Sequence, residues 1–63
     1  MQGILSKRGV VRENILPYKT GIVIVNGEEW SAIGVNNETI EKGTTVEVIK
    51  IEGVKLVVKS TTN

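Results

Sequence analysis

Hydrophobic residues fall along the chain in short runs broken by turn formers, and the spacing within the runs is that of strands. Val10-Val11 and Ile15-Leu16 flank a polar Arg12-Glu13-Asn14, which predicts a first strand with an irregularity near its middle. Pro17 has no amide to give to a ladder, so it ends this strand or sits at an edge. Tyr18-Lys19-Thr20 reads as a loop and Gly21–Val25 as the second strand. Asn26-Gly27 is the strongest local signal, because a two-residue type I′ hairpin needs positive φ at both central positions. It joins the second strand to Glu28–Ile33. There Trp30 and Ala32 share the face expected to turn inward, with Glu29, Ser31 and Ile33 on the other.

Val35–Thr44 reads as a connection: Asn36-Asn37 is turn-like, Glu38–Lys42 has room for one helical turn, and Gly43 stops it. Thr45–Glu52 and Val54–Lys59 then form a second antiparallel pair across a tight Glu52-Gly53 turn. Val46 and Val48 share a face while Ile49 and Ile51 have the opposite parity, the mark of a β-bulge. In the last strand the alternation points Val54, Leu56 and Val58 inward and leaves Val57 outside with Lys55 and Lys59. Residues 1–8 (MQGILSKR) show no period and read as a leader, 9–60 as the folded unit and 61–63 as a polar tail.

Five strands in a chain of 63 residues leave bare edges and an uncovered apolar face unless they close into a barrel. The expected class is therefore all-β, a small closed five-stranded barrel. An OB-like barrel is favoured over an SH3-like one, with a long bent first strand serving both sheets and no full helix between strands three and four. Composition agrees. Eighteen of the hydrophobic residues are Val or Ile, which are stiff at χ1 and suit a pleated surface. The longest unbroken apolar run, Ile22–Val25, is far below the ~20 residues of a membrane-spanning helix, so the isolated chain is expected to be soluble. There is no Cys and no His, so packing alone must hold the core.

The run Gly21-Ile22-Val23, Gly27-Glu28-Glu29-Trp30-Ser31-Ala32, Ile40-Glu41-Lys42-Gly43-Thr44-Thr45-Val46-Glu47-Val48 and Ile51-Glu52-Gly53-Val54-Lys55-Leu56-Val57-Val58 resembles the C-terminal soluble domain of the NfeD family. These are membrane proteins encoded beside stomatin- or flotillin-like scaffolds. The family pattern departs before Gly21, where Leu16-Pro17 are adjacent and three residues separate Pro17 from Gly21. The resemblance implies an OB-fold without the usual nucleic-acid equipment, tethered in a longer parent by transmembrane segments that this chain does not contain. It further implies a protein-interaction or assembly role with a stomatin- or flotillin-type scaffold as partner. Self-association through exposed strand edges is a further possibility. Longer relatives carry a serine protease domain with a Ser–Lys dyad, to which nothing in this chain corresponds.

The residues themselves offer little chemistry. Ser6, Ser31 and Ser60 are the only serines, with no His to serve as base, so no enzymatic role is expected. Glu28 and Glu29 are adjacent on a strand and point to opposite faces, so they do not chelate together. With Glu38 and Glu41 they read as solvated charges, and no metal or cofactor is expected. A nucleic-acid-binding OB domain is the alternative function. Such binders combine a basic groove with aromatic platforms, whereas this chain has two aromatics and a formal net charge of +1, so no nucleic-acid partner is expected. Trp30 and Tyr18 are the candidate partner anchors, since Trp and Tyr are enriched at binding hot spots. Ile33 and Val57, outward by parity, are candidate extensions of an apolar patch. Lys7, Arg8 and Arg12 form a small basic cluster that suits a juxtamembrane flank. The positive-inside rule would place that flank on the cytoplasmic side.

Overall fold

In the computed structural model, which describes residues 3–61, five strands form as expected: β1 (Arg8–Glu13), β2 (Gly21–Val25), β3 (Glu28–Gly34), β4 (Thr45–Glu52) and β5 (Lys55–Ser60). The first is shorter than expected, with Ile15 and Leu16 beyond its end in isolated bridges. Neighbours follow the order β1-β2-β3-β5-β4, and β4 returns to β1 to close the barrel. This is the OB-type order favoured from the sequence. Every pairing is antiparallel except β3 with β5, where Ala32, Ile33 and Gly34 run parallel to Leu56, Val57 and Val58.

Local sequence accounts for the joints. Asn26 and Gly27 take φ of 54° and 78° between the paired Val25 and Glu28, the type I′ geometry their side chains tolerate. The irregularity expected in the first strand is a register shift between Val11 and Glu13. The expected bulge of the fourth strand lies between Val48 and Lys50. Each gives a strand an extra residue and a sharper coil, which a barrel of so few strands needs to close.

Two glycines set how tightly the barrel coils. A Cβ on Gly9 would run into the Ile24 carbonyl oxygen and a Val25 methyl. One on Gly21 would run into the Glu13 and Asn14 carbonyl oxygens. The interior they enclose is wholly apolar: Val11, Ile15, Val23, Val25, Ala32, Ile40, Val46, Val48, Leu56 and Val58, with Ile4 and Trp30 packed against it.

The segment between β3 and β4 differs from expectation. No helical turn forms over Glu38–Lys42. The turn falls instead at Val35–Asn37, where Asn36 and Asn37 are left-handed and the Glu38 amide donates to the Val35 carbonyl at 3.2 Å. The reason is Ile40. Its amide donates to Ile15 at 2.9 Å and its carbonyl accepts from Ile15 at 2.8 Å, an extended bridge that carries the side chain into the core and is incompatible with a helix. Gly43 ends the connection as expected, with φ of 92°.

Val54 is the second difference. Alternation pointed it inward, yet it is 88 % exposed. The hairpin turn occupies Gly53 and Val54, not Glu52 and Gly53, so Glu52 pairs with Lys55 and the strand starts one residue later. Leu56 and Val58 keep the inward positions expected of them.

At the start of the chain, the Ser6 amide donates to the Val48 carbonyl at 3.0 Å and the Lys7 carbonyl accepts from the Val48 amide at 2.9 Å. Ser6 and Lys7, from the segment read as a leader, are thus bonded to β4 before β1 begins. Of the tail, Thr61 bonds the Thr45 carbonyl through both its amide and Oγ1. Met1 and Gln2 of the expected leader, and Thr62 and Asn63 of the expected tail, lie outside the described residues.

Candidate interaction surface

No polar or charged residue among those described is buried, and the core cluster is apolar. Recognition therefore belongs to the outside, which the strand registers define. Ile33 and Val57 are cross-strand partners in the parallel pair, and Lys50 opposes Val57 from β4. Beyond Gly34 the left-handed turn at Asn36 and Asn37 stands over the same face. Together these groups enclose an open concavity of about 260 Å³. Ile33, Val35 and Val57 supply its apolar wall. Asn36 and Asn37 form one rim, and Lys50 with Glu52 the other. Lys50 Nζ lies 3.1 Å from Glu52 Oε2, so that second rim is charged but locally neutral. A site of this kind takes an apolar side chain into the floor and offers polar groups to the backbone on either side of it.

Two of the four residues expected to make contacts therefore meet in one place, with a qualification for one of them. Val57 lies on the outer face as its parity requires, but only 6 % of it is exposed, because β4 and the turn after β3 rise on either side. It contributes floor, not a projecting anchor. Ile33 is half-buried and accessible.

Trp30 and Tyr18 lie elsewhere. Trp30 pairs with Val23, points to the inner face as expected and packs partly against the core. Its indole Nε1 is buried without a hydrogen-bond partner among the described residues, although a buried indole N–H normally finds one. Tyr18 is 89 % exposed at the apex of a turn in which the Lys19 amide donates to the Leu16 carbonyl at 3.0 Å. Pro17 sets the second position of that turn, and Tyr18 takes φ of 61° at the third. A type II turn ordinarily gives that third position to Gly. The two aromatics share no face, so they form no common stacking platform.

The three basic residues meet different partners. Arg12 Nη1 lies 2.8 Å from Glu29 Oε2, an ion pair that reaches across the outer face of β2. Arg8 is opposite Glu47, and Lys7, exposed, is tied to the barrel through its backbone. Sequence reasoning missed the part played by Val35, Asn36, Asn37, Lys50 and Glu52. The available signals were the Asn-Asn turn and the opposite charges two residues apart on a strand.

Residues 1–59 match the family described as the NfeD-like C-terminal, partner-binding domain. Among solved structures, the C-terminal domain of stomatin operon partner protein 1510-C from Pyrococcus horikoshii is similar, with 33% sequence identity and a TM-score of 0.86 over 95% of this chain and 91% of that one. The soluble domain of a membrane protein implicated in regulation of membrane protease activity from Corynebacterium glutamicum has 27% identity and a TM-score of 0.87, covering 97% of both chains. The soluble domain of the NfeD protein YuaF from Bacillus subtilis has 28% identity and a TM-score of 0.79, over 89% of this chain and 71% of that one. A search of curated protein sequences gives no match. No helix among the described residues is long and apolar enough to cross a membrane.

Proposed function

Because the chain belongs to the NfeD family, as its C-terminal, partner-binding domain, we propose that it is a non-enzymatic docking module for a stomatin- or flotillin-type scaffold. The observation that carries this is the likeness, across nearly the whole of both chains, to the C-terminal domain of a stomatin operon partner protein. The contact is assigned to the outer concavity, with Ile33 as the accessible apolar element and the Asn36–Asn37 and Lys50–Glu52 rims as polar guides. The barrel in this reading is held near the membrane by hydrophobic spans of a longer parent protein. Lys7 and Arg8 then form a basic flank on the cytoplasmic side. Two of the solved relatives are soluble domains, one of a membrane protein and one of an NfeD protein, which supports the arrangement.

The test is calorimetric titration of the chain with the soluble part of the stomatin-type scaffold from the same genome. Ile33→Glu, which puts a charge into the concavity, is expected to weaken binding by at least about tenfold, equivalent to about 1.4 kcal/mol. Tyr18→Ala is expected to leave it within about twofold. No binding by the unaltered chain overturns the function. Loss with Tyr18→Ala but not with Ile33→Glu overturns the assigned surface.

A further inference from the structure

β4 is longer than the partner on one of its sides. Toward the N-terminal segment it pairs Thr45, Val46 and Glu47 with Val10, Gly9 and Arg8, and its last bonds there are those of Val48 with Ser6 and Lys7. Ser6 then takes φ of 67° and the Lys7 amide donates to the Ile4 carbonyl at 3.2 Å, a tight turn at which the bonding to β4 ends among the described residues. From Ile49 to Glu52, β4 has β5 on one side and, among the described residues, no strand on the other.

The alternation of the ladder fixes what that open edge presents. Glu52 and Lys55 close a two-residue turn, so their backbone groups face each other. The groups of Ile51, one residue before, face the opposite way, toward the open side. Its side chain lies on the core side, beside Leu56, and is 45 % exposed. Ile49, two residues earlier in β4, adds apolar surface at 42 % exposure. Exposed edges are guarded by charge, especially Lys, by Pro, by short strands or by bulges, and a bulge between Val48 and Lys50 precedes this one. This edge carries Lys50 and Glu52, one on each side of Ile51 and already paired with each other, so no net charge repels a second strand.

We propose that two copies of the chain pair antiparallel through this edge, on a two-fold axis at Ile51. The edge is self-complementary about that residue. Ile51 of each copy exchanges both backbone hydrogen bonds with its counterpart. Lys50 of one copy meets Glu52 of the other, twice, in the non-hydrogen-bonded positions where side chains approach most closely. A closed two-fold interface of this kind uses one patch on both molecules. The proposal goes beyond scaffold docking and needs no scaffold to test, so the two fail independently.

The experiment is sedimentation equilibrium on the intact chain from about 10 µM to about 1 mM, a range suited to micromolar association, with circular dichroism to check folding of each variant. The mass should rise from 6.9 kDa toward twice that value. Lys50→Glu should weaken dimerisation at least about tenfold, because like charges then oppose across the axis. The double variant Lys50→Glu/Glu52→Lys should restore it to within about threefold, since the swapped pair is again complementary. Amide exchange at Ile51 should slow as concentration rises. A chain that stays monomeric throughout overturns the proposal. So does a dimer indifferent to Lys50→Glu, or one that the double variant fails to restore.

Discussion

Asn14 holds Lys42 in place: its Oδ1 accepts a hydrogen bond of 2.7 Å from the Lys42 amide, 28 positions further along the chain. With the two bonds between Ile15 and Ile40, this contact fastens the β3–β4 connection beneath the end of β1 and seats Ile40 in the core. Asn14→Ala should therefore lower stability by about 0.5–1.5 kcal/mol, the usual worth of one such bond. Asn14→Asp keeps the acceptor and should lose less. Urea unfolding followed by circular dichroism distinguishes the two.

Gly21→Ala should be far more damaging than its size suggests. The added methyl meets backbone oxygens of Glu13 and Asn14, which cannot move without opening β1 from β2. A cost above about 2 kcal/mol is expected, against a total stability of roughly 3–5 kcal/mol for so short a chain. Gly3→Ala is the control, since nothing lies within 4 Å of its added carbon. Thermal melts should show Gly3→Ala unchanged and Gly21→Ala melting well below the unaltered chain.

Trp30 presents two separable effects. Its ring packs on the core, while its Nε1 is buried without a partner. Trp30→Phe keeps most of the packing and removes the orphaned donor, so stability should change by less than about 1 kcal/mol. Trp30→Ala removes the packing too and should cost about 2–3 kcal/mol, somewhat below the value for a fully enclosed ring. A loss with Phe as large as that with Ala would show that the donor matters after all.

The Arg12–Glu29 pair is short but more than half exposed on both sides. Exposed ion pairs contribute about 0.2–1 kcal/mol and fade with salt. A double-mutant cycle with Arg12→Ala and Glu29→Ala should give a coupling in that range in dilute buffer, falling toward zero in about 0.5 M salt.

The barrel was legible in the sequence because its joints are local. Asn26-Gly27 announces its own turn, and the parity change after Val48 announces the bulge. The errors arose where one residue of phase matters. Moving the hairpin turn by one position takes Val54 out of the strand and into the turn, where it meets solvent, while Leu56 and Val58 keep their face. The helical turn expected over Glu38–Lys42 failed because Ile40 bonds to Ile15, a partner 25 positions away in sequence that no local propensity reveals. The outer concavity was half legible. Ile33 and Val57 were placed on the outside correctly, but the burial of Val57 depends on what β4 and the Asn36–Asn37 turn bring alongside it. Tyr18 was recognised as a loop residue. Its positive φ was not legible, because Pro at the second position suits type I turns, with negative φ at the third, as well as type II.

The closing seam between β1 and β4 joins the start of the chain to a strand that begins only at Thr45. Pairings so distant in sequence are slow to nucleate. The β2–β3 hairpin, closed by two residues, forms within microseconds. On the ribosome, β1 meets β2 early and must wait for the later β4 before it acquires its other neighbour. Until β4 has followed, the strands already made form an unsealed ribbon, and this seam is where the barrel is shut.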